Sequence, residues 1–339
     1  MKRLRYPLFS TLLFIFLFTS CHKDSQRYKL GTLPENAIKI KIHRFDEDLI
    51  KMNTQNGLSS VKALYRNYPA FMSIFINNVL EIDENDTVKV ADHLTHFISD
   101  TTFSKVNAKT LQTFGNVSDI EQDISTAFSY AHQYFPEMKI PSIYFFVSGF
   151  NRSVLMTDDF IGVGTDFYLG ADYEPYKEFT YDYLLYNMRR DMLAIDVVSA
   201  SLFRYFSFDG NQNRLIDNML HRGKVIYLAA SFMPNKKIDD IIGYSPEQMK
   251  WAQEYESEIW KAIVGQKDLF STNVKLIGKY LNDAPFTTPI SQESPGRLGI
   301  YIGYKIVESY MQQNKKVSLT DLMKMTDYQK MLQDSGYRP

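Results

Sequence analysis

The chain has 339 residues, and its 38 basic and 39 acidic side chains leave a formal charge of −1. Acids and bases are interspersed, without the basic stripe that a nucleic-acid partner requires. Cys21 is the single cysteine, so disulfides within the chain are excluded and no second thiol is available for a zinc site.

Lys2, Arg3 and Arg5 precede the apolar run Leu12–Phe18 and then Thr19-Ser20-Cys21. A basic start, a short apolar stretch and small residues before the cut describe a secretory signal. The apolar run is short of the ~20 residues that cross a bilayer as a helix. Phe18-Thr19-Ser20-Cys21 resembles the bacterial lipobox, with Phe in place of the usual Leu. Residues 1–20 are therefore expected to be removed and Cys21 to carry a diacylglycerol and an N-acyl chain, which together anchor durably. An ordinary signal peptide or a short anchor is the competing reading. His22 stands where Asp would give the inner-membrane retention signal of enteric bacteria. The expected address is the periplasmic face of the outer membrane, with the cell surface second. Residues 21–36 read as a lipidated, flexible tether with Gly31 and Pro34. Residues 37–339 read as one domain.

Ile38–Phe45 alternates apolar and polar, the pattern of a half-buried strand. Asp46–Lys51, Leu58–Tyr65 and Ala70–Val79 suit helices. Ile120, Ile124, Ala127, Phe128, Ala131 and Phe135 share a helical face, and Pro136 ends it. Pro141–Ser148 is a strong strand, rich in β-branched and aromatic residues, and Ser153–Thr157 and Phe160–Val163 look like two more. Tyr181–Phe206 reads as one long helical segment and Arg214–Met233 as another. Ser245-Pro246-Glu247-Gln248 has the spacing of a capping box, with Trp251, Tyr255, Ile259 and Ile263 continuing the helix. Ser294 is expected to cap a helix running to Gln313, and Val317-Ser318-Leu319 to begin the last. The layout is α+β: a small antiparallel or mixed sheet in a mostly helical domain.

Motifs for catalysis and cofactors fail one by one. Helical zinc sites need His-Glu-x-x-His, which puts two imidazoles on one face. His93-Leu94-Thr95-His96 has the wrong spacing and no carboxylate between, and His43, His132 and His221 are isolated. Asp209–Asn213 begins like a calcium loop, but Arg214 takes the required glycine position and Leu220 the glutamate position. Glu81–Asp86 fits a solvated acidic turn. No Gly-x-Ser-x-Gly elbow occurs, since Phe146-Val147-Ser148-Gly149-Phe150 lacks the first glycine. Gly162-Val163-Gly164 lacks the rest of a dinucleotide fingerprint. No cofactor is expected beyond the lipid on Cys21.

Glu293–Tyr304 is the most informative segment. Gly296, Gly299 and Gly303 share one helical face, and each glycine costs about 1 kcal/mol relative to Ala inside a helix. Something must approach that face closely: another helix, or a ligand near a helix N-terminus that favours anions. Arg297 is suited to clamp a carboxylate or to pair with Glu293.

Several runs carry a family resemblance: Gly223–Tyr227, Ile242–Ser245, Trp251–Trp260, Asp283–Thr287, Glu293–Arg297 and Gly303–Val307, with Phe160–Gly164, Asp166–Gly170 and Tyr173–Tyr176 upstream. Together they resemble the gliding motility-associated lipoprotein GldB family of Bacteroidetes. That family is similar to predicted zinc-dependent proteases in which a long helix carries His-Glu-x-x-His and a second helix an acidic ligand before a glycine. Here the corresponding helix reads Arg189-Arg190-Asp191-Met192-Leu193-Ala194-Ile195-Asp196, without histidine, and His221-Arg222 precede Gly223. The resemblance implies a zincin-like scaffold with no metal ligands and no catalytic residues.

It also implies a noncatalytic component of the gliding and type IX secretion machinery, with envelope proteins as partners and the membrane reached through the lipid. The residues expected to line the former cleft and bind peptide or protein are Asp191, Lys224, Tyr227, Glu293, Arg297 and Tyr301. A hydrolase with unusual ligands, His221 with Asp191 or Asp196, is one alternative. A general envelope-assembly lipoprotein is the other.

Overall fold

The computed structural model of the chain describes residues 27–33, 35–208 and 213–339. Cys21 with the whole signal segment, Pro34 of the tether, and residues 209–212 of the calcium-like turn lie outside them. Within the described residues, the apolar run after Pro141 forms the centre of a four-stranded sheet. The strands are β1 (Ile42–His43), β2 (Ser142–Phe146), β3 (Val154–Met156) and β4 (Phe160–Gly164), in the order β1-β2-β4-β3. β1 and β4 run parallel to β2, and β3 returns antiparallel to β4, so the sheet is mixed.

Successive side chains of a strand point to opposite faces, and both faces of β2 are covered. Ile143 and Phe145, with Ile161 and Val163, join the larger core. Tyr144 and Phe146, with Phe160, join an aromatic core built around Phe45, Phe71 and Phe75. This is why β2 reads as a continuous apolar run. The aromatic core belongs to α1 (Phe45–Ile50), α2 (Gly57–Asn67), α3 (Pro69–Ile74) with the π-helical turn Phe75–Val79, and α4 (Thr87–Ser99). α5 (Thr101–Thr113) follows; no element was expected in this stretch.

The expected strand Ile38–Phe45 is a strand only at Ile42–His43. Its alternation is real, but its partner is a helix, α6 (Ser118–Tyr134). The N–H groups of Ile38, Ile40 and Ile42 donate to Ser129 Oγ at 2.8 Å, Ser125 Oγ at 2.9 Å and Glu121 Oε1 at 2.9 Å. These three acceptors stand four residues apart, on one stripe of α6.

The larger core takes the C-terminal helices. The expected long helix Tyr181–Phe206 is instead α7 (Asp182–Leu185), a 3₁₀ turn at Arg190–Met192 and α8 (Leu193–Tyr205). Long-range bonding interrupts it: Leu169 pairs with Arg189, and the Gly170 N–H donates to Met188 O at 3.0 Å. α9 (Leu215–Phe232) forms as expected and is followed by α10 (Ile238–Ile242). The Ser245 box forms, capping α11 (Pro246–Glu254), but the helix stops at Tyr255 and restarts as α12 (Glu256–Gly265).

α13 (Val274–Leu281), α14 (Leu298–Gln313), α15 (Leu319–Lys324) and α16 (Tyr328–Ser335) complete the chain. Ser294 does not cap α14. Its hydroxyl accepts from the Thr287 N–H and donates to Ser291 O, while Thr287 Oγ1 accepts the Leu298 N–H at 3.1 Å. Arg297 sits immediately before the helix with φ 61°, a left-handed conformation.

The glycine face of α14 is filled by protein. A Cβ on Gly303 would lie 2.0 Å from Met219 O, and one on Gly223 would lie 2.4 Å from the Gly303 carbonyl. A Cβ on Gly299 would meet Leu281 Cδ2 at 2.7 Å and Tyr280 O at 3.0 Å. Of the two sequence readings, close backbone packing holds at Gly299 and Gly303; Gly296 precedes the helix, and a Cβ there would lie 2.3 Å from Ala284 O.

Candidate functional site

α8 turns one stripe toward the larger core and another toward a cleft. Ala194, Val197, Val198, Ser201 and Leu202 are buried. Asp196, Ser199, Ala200 and Phe203, at spacing i, i+3, i+4, i+7, line a cleft of about 540 Å³. The segment before α8 adds Asn187, Met188 and Met192, α10 adds Asp240, and the turns flanking α13 and α14 add Asp283 and Arg297. The walls are largely apolar, with few polar groups, as small-molecule and peptide sites usually are.

Asp196 is the central charge. Burial pushes its carboxyl up to about 6, against the Tyr168 hydroxyl donating at 2.8 Å and the field of Arg297, which both favour the ionised form. Arg297 reaches Asp283, Nη1 to Oδ1 at 3.2 Å. Arg189 pairs with Asp240 and lies 4.2 Å over the Tyr186 ring. Asn187 donates its Nδ2 to Gly243 O at 3.0 Å. Two buried polar atoms here have no hydrogen-bond partner among the described residues: Asn187 Oδ1 and Ser199 Oγ. Such atoms cost free energy unless something pairs them.

The six expected binding residues do not share this cleft. Arg297 lines it, and its partner is Asp283 rather than Glu293, which is exposed. Asp191 is exposed on the 3₁₀ turn, 3.8 Å from Arg189. Tyr301 lines a different cleft; its hydroxyl donates to Glu256 at 2.6 Å, and burial beside that carboxylate pushes its pKa far up. Lys224 is buried, with Nζ donating to Met323 O at 3.2 Å and Met325 O at 2.8 Å and lying 5.0 Å over the Tyr328 ring. Tyr227 is buried against Tyr304, and burial raises its pKa.

The histidines are dispersed. His93 and His96 are exposed on α4, and His96 Nδ1 lies 2.7 Å from Asp92 O. His221 packs edge-on to Phe208 with Nδ1 3.3 Å from the Tyr328 hydroxyl, and does not line the cleft that holds Asp196. No cluster of three or more His, Cys, Asp or Glu able to hold a metal ion occurs among the described residues. Sequence reasoning named Asp196 only as an alternative metal ligand and missed Asn187, Ser199 and Asp240. One signal was available: Asp196 is the sole acid in α8, a helix otherwise mostly apolar, and it falls in the first turn.

Among the described residues no helix is long and apolar enough to cross a membrane. No curated protein and no solved structure matches the chain. Residues 31–339 match the sequence model of a family described as gliding motility protein GldB. That span includes the sheet, both cores and the cleft beside α8, and the chain belongs to the GldB gliding motility family.

Proposed function

We propose that the protein is a noncatalytic, lipid-anchored envelope component of the gliding machinery and its type IX secretion apparatus, and that the cleft beside α8 holds an extended segment of a partner protein. The observation that carries this reading is the lining of the cleft, a largely apolar wall with Asp196, Asp240, Asp283 and Arg297 as its charged groups. Met188, Met192 and Phe203 offer an apolar wall, and methionine adapts to varied side chains. Arg297 adds a cation for an acidic group.

The composition of α8 supports the noncatalytic reading. This helix carries no histidine, and catalytic zinc takes about three protein ligands. The zincin-like ancestry rests on the resemblance alone. Acylation at Cys21, and residence on the periplasmic face of the outer membrane, rest on the lipobox and His22.

A photocrosslinking amino acid at Ala200, inside the cleft, should give an adduct of discrete mass in cells, while the same group at exposed Val274 should not. Ala200→Trp fills the cleft and should abolish spreading and lower secretion without loss of the folded protein. Normal spreading and secretion in that variant would overturn the reading. Stoichiometric zinc in the purified protein would replace it with the hydrolase alternative.

A further inference from the structure

We propose that a second, basic cleft binds the phosphate headgroup of an anionic phospholipid in the membrane that carries the anchor. This rests on acylation of Cys21. The cleft has a volume of about 670 Å³ and adjoins the first, with Ile242 of α10 lining both. Five cations line it, Arg27, Lys236, Lys237, Lys250 and Lys305, against a single carboxylate, Asp239.

The cations divide by what they already hold. Lys236 pairs with Asp123 at 2.6 Å and Lys305 with Glu308 at 2.7 Å, so both are positioned from behind. Arg27 spends its guanidinium on main-chain carbonyls, Met233 O at 3.0 Å and Pro234 O at 2.8 Å, and also bonds Lys236 O. Lys237 and Lys250 are exposed and make no hydrogen bond or ion pair among the described residues. Ile238 and Met249 supply apolar wall between them. Two uncommitted ammonium groups over an apolar wall suit a phosphate attached to a hydrocarbon.

Chain length fixes where the cleft can be. Arg27 stands six residues after Cys21. Fully extended, that stretch spans no more than about 20 Å. The carbonyl cluster that grips Arg27 forms part of the cleft, so an acylated Cys21 holds the cleft within that distance of the bilayer. Surface potential falls off within about one Debye length, near 10 Å, and the leash is short enough to keep the cations close to that layer and let them enter it.

The test uses the full acylated chain in neutral detergent, titrated with phosphatidylglycerol and read by native mass spectrometry. One phosphatidylglycerol should bind per chain, while phosphatidylcholine should not, and excess inorganic phosphate should not displace it. Lys237→Gln with Lys250→Gln should weaken binding about 25-fold, from roughly fivefold per lysine near a membrane surface. Both side chains are exposed, and an unchanged melting temperature will confirm that the variant is folded. Equal binding of the two lipids, unchanged affinity in the variant, or displacement by inorganic phosphate would each overturn the proposal. The same spectra report the mass on Cys21. An unacylated protein removes the anchor itself, whereas an acylated protein that binds no phosphatidylglycerol refutes only the headgroup site.

Discussion

Gly303→Ala places one methyl group where α14 crosses α9. In a free helix the change is favourable by about 1 kcal/mol, because glycine loses more backbone freedom than alanine. Here the new Cβ would lie 2.0 Å from Met219 O and 2.6 Å from Met219 C. Both are main-chain atoms of α9, so no side chain can rotate away. Reaching an ordinary contact requires the two helix axes to part by more than an ångström, along a seam that also holds Gly223 against the Gly303 carbonyl. Overpacking in a core costs about 1–3 kcal/mol when side chains can adjust, and occasionally more. A backbone clash belongs at the upper end, so after the helix gain the net loss should be about 2 kcal/mol, or on the order of 4 °C in melting temperature for a chain of this size. Gly265→Ala is the control, since a Cβ there meets nothing within 4 Å. It sits at the end of α12 and should be neutral or stabilising by about 0.5 kcal/mol. Urea denaturation followed by circular dichroism measures both. If Gly303→Ala is as stable as Gly265→Ala, the close packing of α9 on α14 is not the reason for the glycines.

Arg297→Ala breaks a partly exposed ion pair, worth about 0–1 kcal/mol, so melting should shift little while spreading motility falls. A large fall in melting temperature would assign Arg297 to structure alone. Asp196, raised to about 6 from the ordinary 3.8, adds stability that is complete below the unfolded value and is lost as pH rises through about 6. Asp196→Asn should therefore gain on the wild type between pH 4 and 8, by up to about 3 kcal/mol and less to the extent that water in the open cleft screens the charge. Asp166, also raised to about 6 by burial, titrates in both proteins and cancels in the difference. Parallel stability–pH curves would refute the assignment. Tyr301→Phe removes the hydrogen bond to Glu256, which keeps that of Tyr337 at 3.0 Å, and should cost about 1.5 kcal/mol in denaturant titration.

What was legible in the sequence was local. The Ser245–Gln248 box, the helix beginning after Ser318, the face of α6 and the apolar run of β2 each depend on residues a few positions apart, and each formed. What was not legible depends on distant partners. Nothing near Met188 announces that its carbonyl accepts from Gly170, which breaks the expected helix before α8. Nothing near Leu298 announces that Thr287, rather than Ser294, takes its N–H. The cleft divides in the same way. Asp196, Ser199, Ala200 and Phe203 form a stripe that can be read off α8, but Asp240 and Asp283 arrive from segments far along the chain, and Asn187 from the break in the expected helix. The expected residues do not gather in one cleft because they were grouped by sequence signature, and Lys224 and Tyr227 turn inward where α9 is buried almost all round.

The two-sided covering of β2 limits how this protein can be shortened. A version lacking residues before about 100 would lose β1 yet keep β2, β4 and β3 and most of the large C-terminal core, and would leave Tyr144, Phe146 and Phe160 facing water with no helices over them. Bare aromatic strand faces recruit other chains. Such a fragment should precipitate or pair with itself, and its behaviour would report on that exposed wall rather than on the cleft.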